Sequence, residues 1–425
     1  MDNKDSIQTK KYLPLAFAAG MGSMLGSGII VSLSATIPVW QSGLGLTNGQ
    51  VGILSGALTF AIAFGSIIGG RVAEMIGLVR FFNWINLFYA IGAAVCIFSN
   101  SFLTLLIGVI IAGAASGADL PTSLTVVSHD SPDDVVSARL VSSTQIFWQV
   151  GIFVSYICSF VVSRMSGANG ARIVFAILTV IALITWLWRT FSKKFKAFHE
   201  AGDQKYTVKQ DSASTDDKIS LSSVLFGKEK GKYLGIFIGI LMFYILWNLL
   251  ANTWGQFQTF MMVKADASQS LATGAGLILN LVSFGVSILF ASIAGGKNRN
   301  RSFYIGSVIM LLALVGLALG GTSLWVIIFS IGFYNLGTPL AGEALYKVWT
   351  QESFPIEVRS SVQGLINGLS RICCALFAFI TPALVMPSRI KTTMWGFVLV
   401  IIVSFIAGLV VINLQRKYHI QNNND

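Results

Sequence analysis

The feature that most constrains this 425-residue chain is a succession of twelve apolar runs. Each is long enough to supply the ~20 residues a helix needs to cross a ~30 Å hydrocarbon core. They cover 13–40, 50–70, 80–98, 102–128, 139–163 and 170–190 in the first half, and 233–263, 272–295, 302–320, 324–350, 360–384 and 391–414 in the second. Soluble domains carry about a quarter charged residues. Here the charged share is 11%, the apolar share 54% and the mean hydropathy +0.73, so most of the apolar surface must face lipid. The first run follows Lys10 and Lys11, like a secretion signal. It is too long for such a signal and ends in no small-residue cleavage pattern, so it reads as the first span. The pattern predicts an all-α membrane protein with twelve transmembrane helices in two pseudo-symmetric six-helix bundles. The expected divisions are an N-terminal bundle over 1–191, a cytoplasmic basic linker over 192–232 and a C-terminal bundle over 233–425.

The net charge of +11 could suggest a nucleic-acid partner, but its distribution points to topology. Lys and Arg concentrate in loops that stay cytoplasmic. If both termini are inside, the outer loops hold only Arg164, Arg172, Lys264, Arg389 and Lys391, and Arg371 falls within a span. The remaining basic residues of the 29 lie on the inner side, most densely in the linker, with which Arg189 is counted. This predicts a multi-pass plasma-membrane protein with both termini cytoplasmic. The four cysteines, Cys96, Cys158, Cys373 and Cys374, sit in apolar runs and read as packing residues. His129, His199 and His419 lie in polar stretches without metal-ligand spacing to them. No grouping for nucleophilic catalysis and no phosphate loop appears, so neither an enzyme, a metal nor a cofactor is expected.

Three motifs carry more information. Between spans two and three the chain reads Gly69-Gly70-Arg71-Val72-Ala73-Glu74-Met75-Ile76-Gly77-Leu78-Val79-Arg80. After span ten it reads Glu352-Ser353-Phe354-Pro355-Ile356-Glu357-Val358-Arg359, and a degenerate copy, Asp130-Ser131-Pro132 with Arg139, follows span four. The same two copies place an acid at nearly the same point, in Gly117-Ala118-Asp119-Leu120 and Gly342-Glu343-Ala344-Leu345. Paired patterns of this kind are what internal duplication leaves. Span five reads Arg139-Leu140-Val141-Ser142-Ser143-Thr144-Gln145, followed by Gln149, Gly151 and Tyr156.

Together these resemble the sugar-porter branch of the major facilitator superfamily, along the whole chain. The resemblance implies the major facilitator fold, a monomer and alternating access between the two halves. It makes Gly70, Glu74, Gly77, Arg80, Asp130, Arg139, Glu352 and Arg359 a cytoplasmic gate. It also makes Gln145 a cavity residue that hydrogen-bonds sugar hydroxyls, a task that suits an amide's donors and acceptor. The chain departs from the branch in span seven, where Leu246 and Trp247 replace the usual Gln-Gln, although Asn252 fits. It departs again in span one, where Ile29 stands at the usual proton-accepting Asp. The loop Gly295-Gly296-Lys297-Asn298-Arg299 lacks the acid of its N-terminal counterpart, and the proline-rich acidic motifs after spans six and twelve are missing.

An ionisable residue inside a span is costly and usually has a task or a partner. Asp119 lies roughly 26 Å along span four and Arg371 roughly 18 Å along span eleven from Arg359, at 1.5 Å per residue. Glu343 and Lys347 stand one turn apart. Either these charges line a cavity, or they neutralise one another in the bundle. With Ile29 in span one, Asp119 and Glu343 are the proton-coupling candidates, since a carboxyl removed from water holds its proton more tightly.

The expected function is uptake of a sugar, polyol or sugar-like solute, with protons as candidate coupling ion and the lipid bilayer as the other partner. Gln145, Gln149, Asn252 and Gln256 would bind hydroxyls, with Glu343 and Arg371 nearby and Trp247 and Trp254 as stacking surfaces. An organic-anion or sugar-acid carrier using Arg371 and Lys347 is the alternative, with drug export behind it. A non-transporting sensor of the same fold is the reading from another class.

Overall fold

The computed structural model describes residues 3–132, 134–212, 221–227, 229–293, 299–321, 323–354 and 356–420. Among them there is helix and no strand, in two compact units, 1–215 and 216–425. The described residues contain ten helices long and apolar enough to cross a membrane, plus two shorter apolar ones, Ile146–Val161 and Leu324–Gly337.

The first unit comprises α1 (Asn3–Leu44), α2 (Asn48–Ile76), α3 (Leu78–Ile97), α4 (Phe102–Asp130), α5 (Asp134–Val161), α6 (Asn169–Phe191) and α7 (Lys193–Ser212). Helix starts are written locally. Thr47 and Gln50 form a reciprocal capping box at α2, and Ser101 and Thr104 do the same at α4, each satisfying otherwise orphaned N–H groups. Gly77 turns α2 into α3 at φ +96°, a region that side chains avoid. Pro121 sits inside α4 without breaking it. A proline cannot donate to the carbonyl four residues back, but Ser66 of α2 donates its hydroxyl to that carbonyl, Gly117 O, at 2.8 Å. That hydroxyl's single hydrogen is shared with Ile62 O of its own helix, at 2.9 Å, and α1 and α14 likewise run on through Pro14, Pro38 and Pro382.

The second unit comprises α8 (Leu221–Phe226), α9 (Lys230–Lys264), α10 (Gln269–Ile293), α11 (Arg299–Gly320), α12 (Leu324–Gly337), α13 (Glu343–Ser353), α14 (Ile356–Leu384) and α15 (Ile390–Lys417). Here the expected span over 324–350 is corrected: it is two helices, α12 and α13, with Thr338–Gly342 between them. Pro339 removes an N–H, and the carbonyl it leaves, Asn335 O, receives only a 3.4 Å hydroxyl contact from Thr338 in the same turn. Gly337 and Gly342 flank the break.

The two units repeat one packing scheme. In the first, α1 packs on α5, α2 on α4, and α3 on both α4 and α6. In the second, α9 packs on α14, α10 on α12, and α11 on both α12 and α15. Outward rows such as Phe60, Phe64 and Ile67 of α2 remain exposed, as lipid-facing positions should. Within the segment expected as a linker, α7 is a helix whose Phe195, Phe198, His199 and Gly202 form one buried stripe.

Candidate functional site

Each unit carries its own group of charged side chains within its helices. In the first, Asp119 of α4 is 2% exposed and Arg189 of α6 is 1% exposed. Arg189 Nη1 donates to Asp119 Oδ1 at 2.7 Å and Nη2 to Oδ2 at 3.3 Å, a bidentate pair. Nε and Nη2 also donate to Ala18 O of α1, and Nη1 donates to Phe82 O of α3. The Phe82 ring lies 3.9 Å from the guanidinium carbon, and the Ser123 hydroxyl donates to Asp119 Oδ1 at 2.8 Å. Arg189, which position alone assigns to the basic linker, is thus an internal residue tying α1, α3, α4 and α6 together. Losing one partner of such a buried pair costs about 3–5 kcal/mol.

In the second unit the charges are accessible. Glu343 opens α13 immediately after the break, and its carboxylate takes a 2.8 Å ion pair from Lys347 one turn on. Their side chains are 50% and 37% exposed. A pair this open is worth about 0.2–1 kcal/mol. Arg371 of α14, half-buried, lies near enough to interact electrostatically with Glu343 and Lys347. One residue before it, Ser370 accepts from Asn248 of α9 at 2.8 Å.

Aromatic rings wall this group. Tyr244 and Tyr346 stack at 3.8 Å, and Tyr244 stacks on Trp247 at 5.9 Å. The Trp247 ring lies over Gly342, where a Cβ would come within 2.4 Å of it, so the break and the indole are fitted to each other. The Trp247 indole N–H is buried and meets no acceptor among the described residues.

The expected site residues divide accordingly. Glu343, Arg371 and Trp247 gather around the α12–α13 break. Asn252 and Gln256 lie further along α9 and bond to each other, Gln256 Nε2 donating to Asn252 Oδ1 at 2.8 Å. Trp254 is packed between Tyr334 and Phe397 and so belongs to the core. In the first unit Gln149 is half-buried on α5, and Asp119 is committed to Arg189. Gly70 lies within α2, and the side chains of Glu74, Arg139, Gln145 and Arg359 lie outside the described ones.

Of the expected gate, Gly77 forms the α2–α3 turn and Arg80 is exposed. Glu352 pairs with Arg299 at the start of α11, and Asp130 with His199 of α7. Sequence reasoning missed Arg189, Arg299 and the two histidines. For Arg189 and the histidines the signal was that Asp119 and Asp130, once buried, required a cation or a donor from somewhere, and for Arg299 there was none.

The sequence model of the family described as Major Facilitator Superfamily matches residues 14–378. Over 390 residues the chain is 28% identical to the minor myo-inositol transporter IolF of Bacillus subtilis (strain 168), covering 90% of this chain and 86% of that protein. Among solved structures, a D-xylose-proton symporter aligns with a TM-score of 0.76 at 15% identity, over 93% of this chain and 96% of that one. The inward-open xylose transporter XylE from E. coli aligns with a TM-score of 0.72, also at 15% identity, over 93% and 95%. At those identities the structural likeness carries the fold.

Proposed function

Because the chain belongs to the major facilitator superfamily, a family of transporters and not enzymes, we propose that it moves a neutral polyol or sugar by alternating access, coupled to protons. The sugar-type assignment follows from its relatives along nearly the whole chain. The polyol reading is ours. The observation that carries it is the polar, aromatic-walled group at the α12–α13 break of a chain that aligns over 90% of its length with a myo-inositol transporter. A ring of hydroxyls needs donors and acceptors that are not already spent. The Trp247 N–H, which meets no acceptor among the described residues, and the half-exposed Glu343 carboxylate supply them.

Glu343 and Asp119 remain the two proton-coupling candidates. Glu343 is the better placed, because releasing Asp119 to titrate would strip Arg189 of its counter-ion inside the unit. The name of the D-xylose-proton symporter, whose fold this chain shares, supports the coupling ion. The positive-inside distribution supports an orientation with both termini and α7 in the cytoplasm, and the plasma membrane is our reading of which membrane it crosses.

One observation favours a second reading. Glu343 and Lys347 cancel, which leaves the Arg371 charge over and suits a sugar acid. Counterflow in proteoliposomes decides between the two, using myo-inositol, xylose and a sugar acid with and without a proton gradient. Uphill uptake of a neutral polyol supports the first reading. Selective uptake of the acid, lost in Arg371→Gln, replaces it with the second.

A further inference from the structure

The outward face of the second unit carries a slot that its own helices leave open. Neighbouring helices α11 and α12 approach closely at two places. At one, a Cβ on Gly306 would stand 2.8 Å from Gly337 O; at the other, a Cβ on Gly320 would stand 2.7 Å from Val326 Cγ1. Between them Gly316 is not spent on helix contact, since a Cβ there would meet only Ser330 Oγ, at 3.8 Å. The helices thus enclose a cavity of about 480 Å³, where α11 presents Ala313 and Gly316 and α12 presents Phe329 and Ser330.

The rim of the slot is large and apolar. Leu312, Trp325, Phe329 and Phe333 line it and are each at least 57% exposed. Both helices are apolar membrane segments, so the medium against this rim is hydrocarbon. An empty slot would forfeit the dispersion contacts of its walls. Water is a poor filler, because it needs two to four polar partners and the wall offers the one Ser330 hydroxyl among the described residues. A flexible acyl chain suits both the shape and the chemistry.

The mouth of the slot carries charge. The turn between α11 and α12 must lie outside the hydrocarbon, because its backbone groups need polar partners. Lys391 of α15 runs across that turn: a Cβ on Gly321 would stand 2.7 Å from its Cε. Lys391 is exposed and pairs with no carboxylate among the described residues. Trp325, the second residue of α12, stands at the same end of the slot. Indole rings settle at this level, between acyl chains and headgroups.

We propose that the α11–α12 slot binds one anionic phospholipid, with an acyl chain along Ala313, Gly316 and Phe329 and the headgroup phosphate at Lys391. The site uses none of the residues assigned to the solute and is independent of which solute is carried. The slot accepts the chain of any phospholipid and fixes the place. Lys391 sets the preference, because one lysine near a membrane surface strengthens the hold on an anionic headgroup about fivefold.

Photoactivatable phosphatidylglycerol and phosphatidylcholine, each with a diazirine midway along one chain, test this on the full chain in liposomes. The two lipids are used at equal mole fraction, and crosslinks are mapped by mass spectrometry. In the wild type, peptides covering 309–316 and 325–333 are labelled about fivefold more by the anionic lipid. Lys391→Gln makes the two lipids equal there. Gly316→Leu, at an exposed position where a Cβ meets no close neighbour, fills the slot and lowers labelling by both lipids. Labelling of the outward row of α2 stays unchanged in both variants. Should Gly316→Leu fail to fold, Ser330→Leu fills the slot from α12 and decides in its place. Equal labelling by the two lipids in the wild type, a preference that survives Lys391→Gln, or unaltered labelling in the filled variant overturns the proposal.

Discussion

Asp119 and Glu343 stand at nearly the same point of the two sequence copies, yet they lead opposite lives. In the first unit α4 runs unbroken past Pro121, whose freed carbonyl is reached by a hydroxyl hydrogen that Ser66 shares with Ile62 O, and Asp119 stays inside, locked to Arg189. In the second, the carbonyl freed by Pro339 receives only a weak contact within its own turn. The helix ends, and Glu343 emerges as the first residue of a new one, half exposed beside Lys347. The difference teaches that a duplicated acid takes its role from the partner and the exposure its own unit gives it. One copy became a structural tie, while the other kept a free face for chemistry.

The strongest way to break this comparison is to remove the sealed acid. Asp119→Ala leaves Arg189 buried without its counter-ion and is expected to cost about 3–5 kcal/mol of unfolding free energy. Thermal unfolding in detergent reads this, and a wild-type midpoint would mean that Asp119 is not a tie. Glu343→Gln should cost at most about 1 kcal/mol in the same assay while abolishing uphill uptake and leaving counterflow. If Asp119→Asn, and not Glu343→Gln, uncouples transport, the two roles are reversed. Ser66→Ala probes the origin of the difference. It removes a hydroxyl hydrogen shared between Gly117 O and Ile62 O and is expected to cost about 0.5–1.5 kcal/mol, with increased hydrogen exchange in α4 downstream of Pro121. The smallest expected effect is at Asn252→Ala, which removes one side-chain hydrogen bond from the neighbourhood of the solute. About 1 kcal/mol corresponds to a rise of several-fold in the apparent Kd, measured by solute titration of the purified protein.

The spans and the family were legible because long apolar runs and loop motifs are local signals. The repeat was legible too, down to the paired acids. What escaped depended on contacts between distant positions. Arg189 was counted with the linker because a positive-inside count weighs residues by place, and its partner lies 70 residues away. The Asp130–His199 bond spans 69 residues. The stripe of Phe195, Phe198 and His199 was hidden by the lysines around it. The break at Thr338–Gly342 was in plain view as Gly337-Thr338-Pro339, but the same kind of proline in α4 breaks nothing, so the residues alone could not decide it.

The Asp119–Arg189 tie also bears on how the chain is made. Spans four and six leave the ribosome with span five between them, and each carries a charge past its middle, where an unpaired charge costs less than the roughly 2.5–3.5 kcal/mol of the bilayer centre. Until span six arrives, the acid in span four has no counter-ion and its helix has reason to hold back from lipid. The first unit is therefore expected to settle into the membrane in a late, concerted step, when the end of α6 delivers Arg189 to α1, α3 and α4 together.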